Sequence, residues 1–172
     1  MTNKIFTPIQ IFIVSFIIKI KSIFIIFNVN MGSQQSIQKC NFEDVQYGIQ
    51  HPGKIIIINT MPPINQDCLI KGTTKIVDEE TLINKLVSQN IGCRIIIYGL
   101  NSNDESIYKK YNQLLQMGFT HIAIYIGGMF EWLCLQDIYG EDTFPTSKKE
   151  LDILKFKPAS FFKQNYYITD ST

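Results

Sequence analysis

Two apolar runs joined by a polar loop and a helix-patterned stretch set the strongest constraint on this chain. Arg94-Ile-Ile-Ile-Tyr98 leads into Gly99-Leu-Asn-Ser-Asn-Asp104. Tyr108, Tyr111, Leu114 and Leu115 then recur at helical spacing. After Gly118-Phe119 the second run, His121–Ile126, ends at Gly127-Gly128-Met-Phe-Glu-Trp132. Strands that run the same way need a crossover this long, so the stretch predicts a β-loop-α-β unit of parallel strands. In such sheets ligands gather outside the carboxyl ends of the strands. The loop Gly99, Leu100, Asn101, Ser102, Asn103, Asp104 is therefore the candidate binding site. Ser102-x-x-Glu105 has the form of a capping box for the helix that follows.

The rest of the domain fits around this unit. Asn41 is positioned to cap a short helix carrying Val45 and Ile49, which His51-Pro52-Gly53 ends. Lys54–Ile58 contains four isoleucines in succession and predicts a strand buried on both faces. Cys68–Thr73 predicts a short strand or turn, with a second short strand over Thr74–Ile76. Asp78-Glu79-Glu80 places acids at the start of a helix with Leu82, Ile83, Leu86 and Val87 as its stripe and Gly92 as its stop. Leu133–Gly140 predicts a further helix, and Leu151–Phe156 a short strand or packed arm.

Composition excludes several functions. Sixteen basic and 15 acidic residues in 172 give a net charge of +1, which argues against a nucleic-acid partner. Cys40, Cys68, Cys93 and Cys134 form no C-x-x-C pair, and His51 and His121 are the sole histidines, so neither a metal nor another cofactor is expected. Cys93 and Cys134 lie in or beside apolar runs and are expected to be buried.

Residues 1–30 differ in composition from the rest. The apolar residues 9–27 are interrupted by Lys19 and Lys21, which makes a membrane span marginal. Met31-Gly32-Ser33-Gln34-Gln35-Ser36 fits the N-myristoylation pattern, which acts when its glycine becomes the N-terminus. Three readings follow for residues 1–30: a membrane segment, a signal peptide without a small-x-small cleavage site, or sequence upstream of a true start at Met31. Residues 31–40 are expected as a tail carrying Gly32, 41–157 as the domain and 158–172 as a second tail.

The ordered set resembles the rhodanese-like domain across Phe42–Trp132. The resemblance rests on Ile70-Lys-Gly72-Thr73, Gly118-Phe119 and Gly127-Gly128 followed by Trp132, each behind the expected element. It implies a three-layer α/β/α fold with a central, mostly parallel sheet, and a sulfurtransferase or phosphatase ancestry. The family's active-site cysteine corresponds to Gly99, its Asp-x-Arg segment to Asn59-Thr60-Met61, and the histidine of its Gly-His-Ile segment to Leu69. Asp104 and Glu105 stand where the family's loop usually brings a cation. The resemblance thus implies an inactive member that binds a protein or peptide partner. Its expected location is the cytoplasm, with attachment to a membrane face through Gly32 or residues 9–27 as a further expectation. The competing reading is an active sulfurtransferase using Cys68.

Overall fold

Strands alternate with helices along the chain, and the computed structural model describes residues 36–89, 92–160 and 162. Gly32, residues 9–27, Phe161, Tyr166 and Tyr167 lie outside the described residues. The strands are β1 (Lys39–Cys40), β2 (Ile55–Asn59), β3 (Arg94–Tyr98) and β4 (Ile122–Tyr125). The helices are α1 (Phe42–Gln50), α2 (Ile76–Gln89), α3 (Ser106–Gln116) and α4 (Gly128–Tyr139), with 3-10 turns at Pro63–Asn65 and Ile153–Phe156.

The strands pair in the order β1-β4-β3-β2, all parallel. Side chains alternate across a strand, so the isoleucine runs feed two cores. Ile55, Ile57, Ile96, Tyr98 and Tyr125 pack with Val45 of α1 and with Met129, Trp132 and Leu133 of α4. Ile56, Ile58, Ile95, Ile97, Ile122 and Ile124 pack with Ile83 and Leu86 of α2 and Ile107, Tyr111 and Leu114 of α3. The architecture is the expected three-layer α/β/α sandwich.

Handedness explains the layering. The path β2-β3-β4 steps one way along the sheet, whereas β1 to β2 crosses it the other way. Right-handed crossovers then put α2 and α3 on one face and α1 on the other. Because α4 shares the α1 face, the loop after β3 and the turn after β4 leave toward opposite faces of the sheet. A crevice opens between two such neighbours.

Asn41 caps α1 as expected: its side chain accepts from Asp44 N while the Asp44 carboxylate accepts from Asn41 N. Other expectations need correction. Strand β2 begins at Ile55 and includes Asn59. Thr74–Ile76 forms no strand; Thr73 makes one bridge to Ile57, and Ile76 already opens α2. Val87 is exposed, and in α3 Ile107 is fully buried whereas Tyr108 and Leu115 are only half-buried. The helix expected over Leu133–Gly140 starts five residues earlier, at Gly128, whose φ of 62° turns the chain directly from strand into helix. Trp132 thereby falls inside α4 and is buried, edge-on to Phe144 at 5.0 Å, with its Nε1 donating to Pro145 O. Leu151–Phe156 is a packed arm, not a strand: its 3-10 turn seats Phe156 in the core. Among the described residues no helix is long and apolar enough to cross a membrane.

Candidate functional site

Strand β3 ends at the crevice, and the six residues after it form a closed turn. Asp104 N donates to Asn101 O at 3.1 Å, and the Asn101 side chain accepts from Asn103 N at 3.0 Å. The same side chain donates to Phe156 O at 2.7 Å, so the arm fastens the loop. Gly99 and Asn101 are buried, Leu100 and Asp104 half-buried, Ser102 and Asn103 exposed.

The Ser102–Glu105 capping box does not form. Helix α3 begins at Ser106, and Glu105, its N-cap, makes no side-chain cap bond. The Asn101 turn takes up the chain that the box would have used. Asp104 caps instead: Oδ1 accepts from Ser106 N at 3.0 Å and from Ser106 Oγ at 2.5 Å. Oδ2 accepts from Leu100 N at 2.8 Å. Ser106 Oγ also stands 2.7 Å from Thr60 Oγ1, which joins the loop to the end of β2.

This carboxylate lies against Gly99. A Cβ built at Gly99 would sit 2.3 Å from Asp104 Oδ2 and 2.8 Å from its Cγ. Asp104 therefore occupies the space a side chain at position 99 needs. It also takes the Leu100 N–H that an anionic ligand in such a turn would seek. From the other side Gly128 closes the turn. A Cβ there would meet Gly99 O at 2.6 Å and Asn101 N at 2.9 Å. Met129 N and Phe130 N donate to Gly99 O and Leu100 O, both at 2.9 Å. Among the described residues no buried side-chain polar atom lacks a partner, so none points an unmet bond into the turn.

The Cys68 thiol is buried and donates to Lys148 O at 3.0 Å, and burial pushes its pKa up, away from the thiolate a sulfur carrier needs. Cys93 and Cys134 are half-buried, not fully buried as expected, and burial raises both. Leu69 is buried. Asn59 is buried, with Oδ1 accepting from Met61 N at 3.0 Å and Gln66 Nε2 at 2.7 Å. His121 is exposed just before β4. No group of three or more His, Cys, Asp or Glu able to hold a metal occurs among the described residues.

Beside the loop a cleft of about 570 Å³ runs between α2 and α3. Thr60 and Ser106 line its head, Ile76, Ile83, Leu114 and Met117 its apolar parts. Lys110 and Glu79 bridge the two helices at 2.6 Å. Thr60, Ser106 and Gly128 escaped the sequence reading as site residues. The Thr60–Ser106 contact joins positions 46 apart and leaves no local signal. For Gly128 the signal was present, in the paired glycines after a buried strand.

Several solved structures are similar to this chain. The BH2092 protein of Bacillus halodurans superposes with a TM-score of 0.47 at 18% identity, over 75% of this chain and 89% of its own. The single-domain sulfurtransferase RDL2 of Saccharomyces cerevisiae gives 0.47 at 17%, over 66% of this chain and 100% of its own. Ygr203w, a yeast protein tyrosine phosphatase of the rhodanese family, gives 0.46 at 12%, over 67% and 94%. No family model matches the chain, and no curated protein does.

Proposed function

We propose that this chain is a rhodanese-like domain without the family's chemistry, which works by binding a protein or peptide partner. One observation carries the reading: the Asp104 carboxylate fills the turn beside Gly99, where a nucleophile's side chain would have to stand. Glycine has no nucleophile to offer. A carboxylate already bound to the loop's amide and to Ser106 repels thiosulfate and phosphate esters alike. What the site retains is a rigid, self-satisfied turn beside a cleft with apolar patches and balanced charge, suited to a neutral or cationic peptide. The expected result is no cyanide-dependent turnover of thiosulfate and no hydrolysis of aryl phosphates above the uncatalysed rate. A partner identified by pull-down and mass spectrometry is expected to be lost from Glu80→Lys. Turnover abolished by Cys68→Ser would overturn the proposal.

The Met31-Gly32 motif supports a second element, tethering at the cytoplasmic face of a membrane by an acyl chain on Gly32. One such chain gives only reversible attachment. Expressed from Met31, the protein is expected to partition between membrane and soluble fractions, and Gly32→Ala to become wholly soluble. Equal partitioning of the two removes the acyl chain from the account.

A further inference from the structure

A second surface lies apart from the cleft between α2 and α3, where the arm crosses the outer face of α4. In a 3-10 turn residues three apart share a side. Ile153 and Phe156 use that spacing to pack inward. Leu151, ahead of the turn, and Leu154, within it, stand outward at 83% and 62% exposure. The exposure of Leu154 is built in, because Phe156 of the same turn is fixed in the core and its carbonyl is held by Asn101. Ile138, near the end of α4, is 71% exposed.

Between α4 and the arm runs a groove of about 320 Å³, lined by Leu133, Gln136, Asp137, Glu141, Glu150 and Leu151 among others. Its lining carries more acids than bases. Lys149 is the one cation on the lining, against Asp137, Glu141 and Glu150. Glu150 is paired with Lys155, whereas Asp137 and Glu141 make no ion pair among the described residues. An exposed leucine beside unpaired carboxylates, with Leu154 on the adjoining turn, is complementary to a helix with one apolar and one basic face.

We infer that the groove between α4 and the arm docks a basic amphipathic helix of a partner protein. Its leucine-type side chains cover Leu151 on the groove and Leu154 on the adjoining turn of the arm, and its lysines or arginines face Asp137 and Glu141. Because Asn101 ties the arm to the turn after β3, the partner sits one hydrogen bond away from the closed loop.

The test titrates the full chain with a synthetic helical peptide of one leucine face and one lysine face, followed by calorimetry. Saturable binding is expected, weakened about tenfold or more by Leu151→Ser with Leu154→Ser, as loss of apolar contact implies. Asp137→Lys with Glu141→Lys is expected to weaken it similarly and to flatten its salt dependence. Ile64→Ser, at an 87% exposed residue outside the groove, is the control and is expected to bind as wild type. All these positions are exposed, so unchanged circular dichroism verifies that the variants fold. Equal affinity for the corresponding leucine–glutamate peptide, or wild-type binding by both double variants, would overturn the inference. So would a dimer in sedimentation that Leu151→Ser dissolves, since a second copy would then be the occupant.

Discussion

Gly99→Cys is expected to cost about 2–4 kcal/mol of stability and to yield no sulfur transfer. The new Cβ would stand 2.3 Å from Asp104 Oδ2 and 3.0 Å from Ile107 Cγ2. The carboxylate is the softer neighbour and must move, abandoning the Leu100 N, Ser106 N and Ser106 Oγ bonds. Hydrogen bonds to charged groups contribute about 1.5–3 kcal/mol each, and water recovers part of that at a half-buried site. Asp104→Ala alone loses the same bonds, so the two changes must not add. Urea denaturation of both singles and the double variant measures the coupling, expected at about 1–2 kcal/mol in favour of the double. Additivity within about 0.5 kcal/mol would show that Asp104 does not contest the space at position 99.

Gly128→Ala is expected to cost about 2–5 kcal/mol. Two effects combine. With φ at 62° the residue lies in the left-handed region, where a Cβ costs about 1–2 kcal/mol. The Cβ also meets only backbone, at 2.6–3.0 Å from Gly99 O, Asn101 N and Leu100 C, and overpacking of this kind costs about 1–3 kcal/mol. Relief requires α4 to lift away, which strains the Met129 and Phe130 amide bonds to the loop. Gly118→Ala separates the two effects. Its φ is 97°, but nothing lies within 4 Å of the added Cβ. If Gly128→Ala melts no lower than Gly118→Ala, close approach of α4 to the loop is not what requires glycine there.

The two variants test one arrangement from opposite sides. Asp104 fills the turn from the α3 side, and Gly128 lets α4 close it from the other. On the reading proposed above, recognition then falls to surfaces such as the cleft and the α4 groove. Placing a thiol at position 99 is therefore expected to require a second change at Asp104.

The sequence by itself determined the layers. The four consecutive isoleucines of β2 and the three of β3 bury both faces of a parallel sheet, the helical spacing of Ile83 and Leu86 or Tyr111 and Leu114 supplies one cover, and Asn41 marks the start of another. These are local periodicities, and local periodicity survives in a single chain without partners. Gly99 at the end of β3 was legible for the same reason: position in a strand-loop-helix pattern is a local property. What tertiary structure alone decided is how the loop is closed. Asp104 turned back on Leu100 because the Asn101 turn delays α3 to Ser106, and Asn101 is held by Phe156, 55 residues away. Thr60 reached Ser106 only because β2 and β3 are paired in register. A capping box and an Asx-type turn compete for the same few residues. The contacts that chose between them come from the far end of the chain.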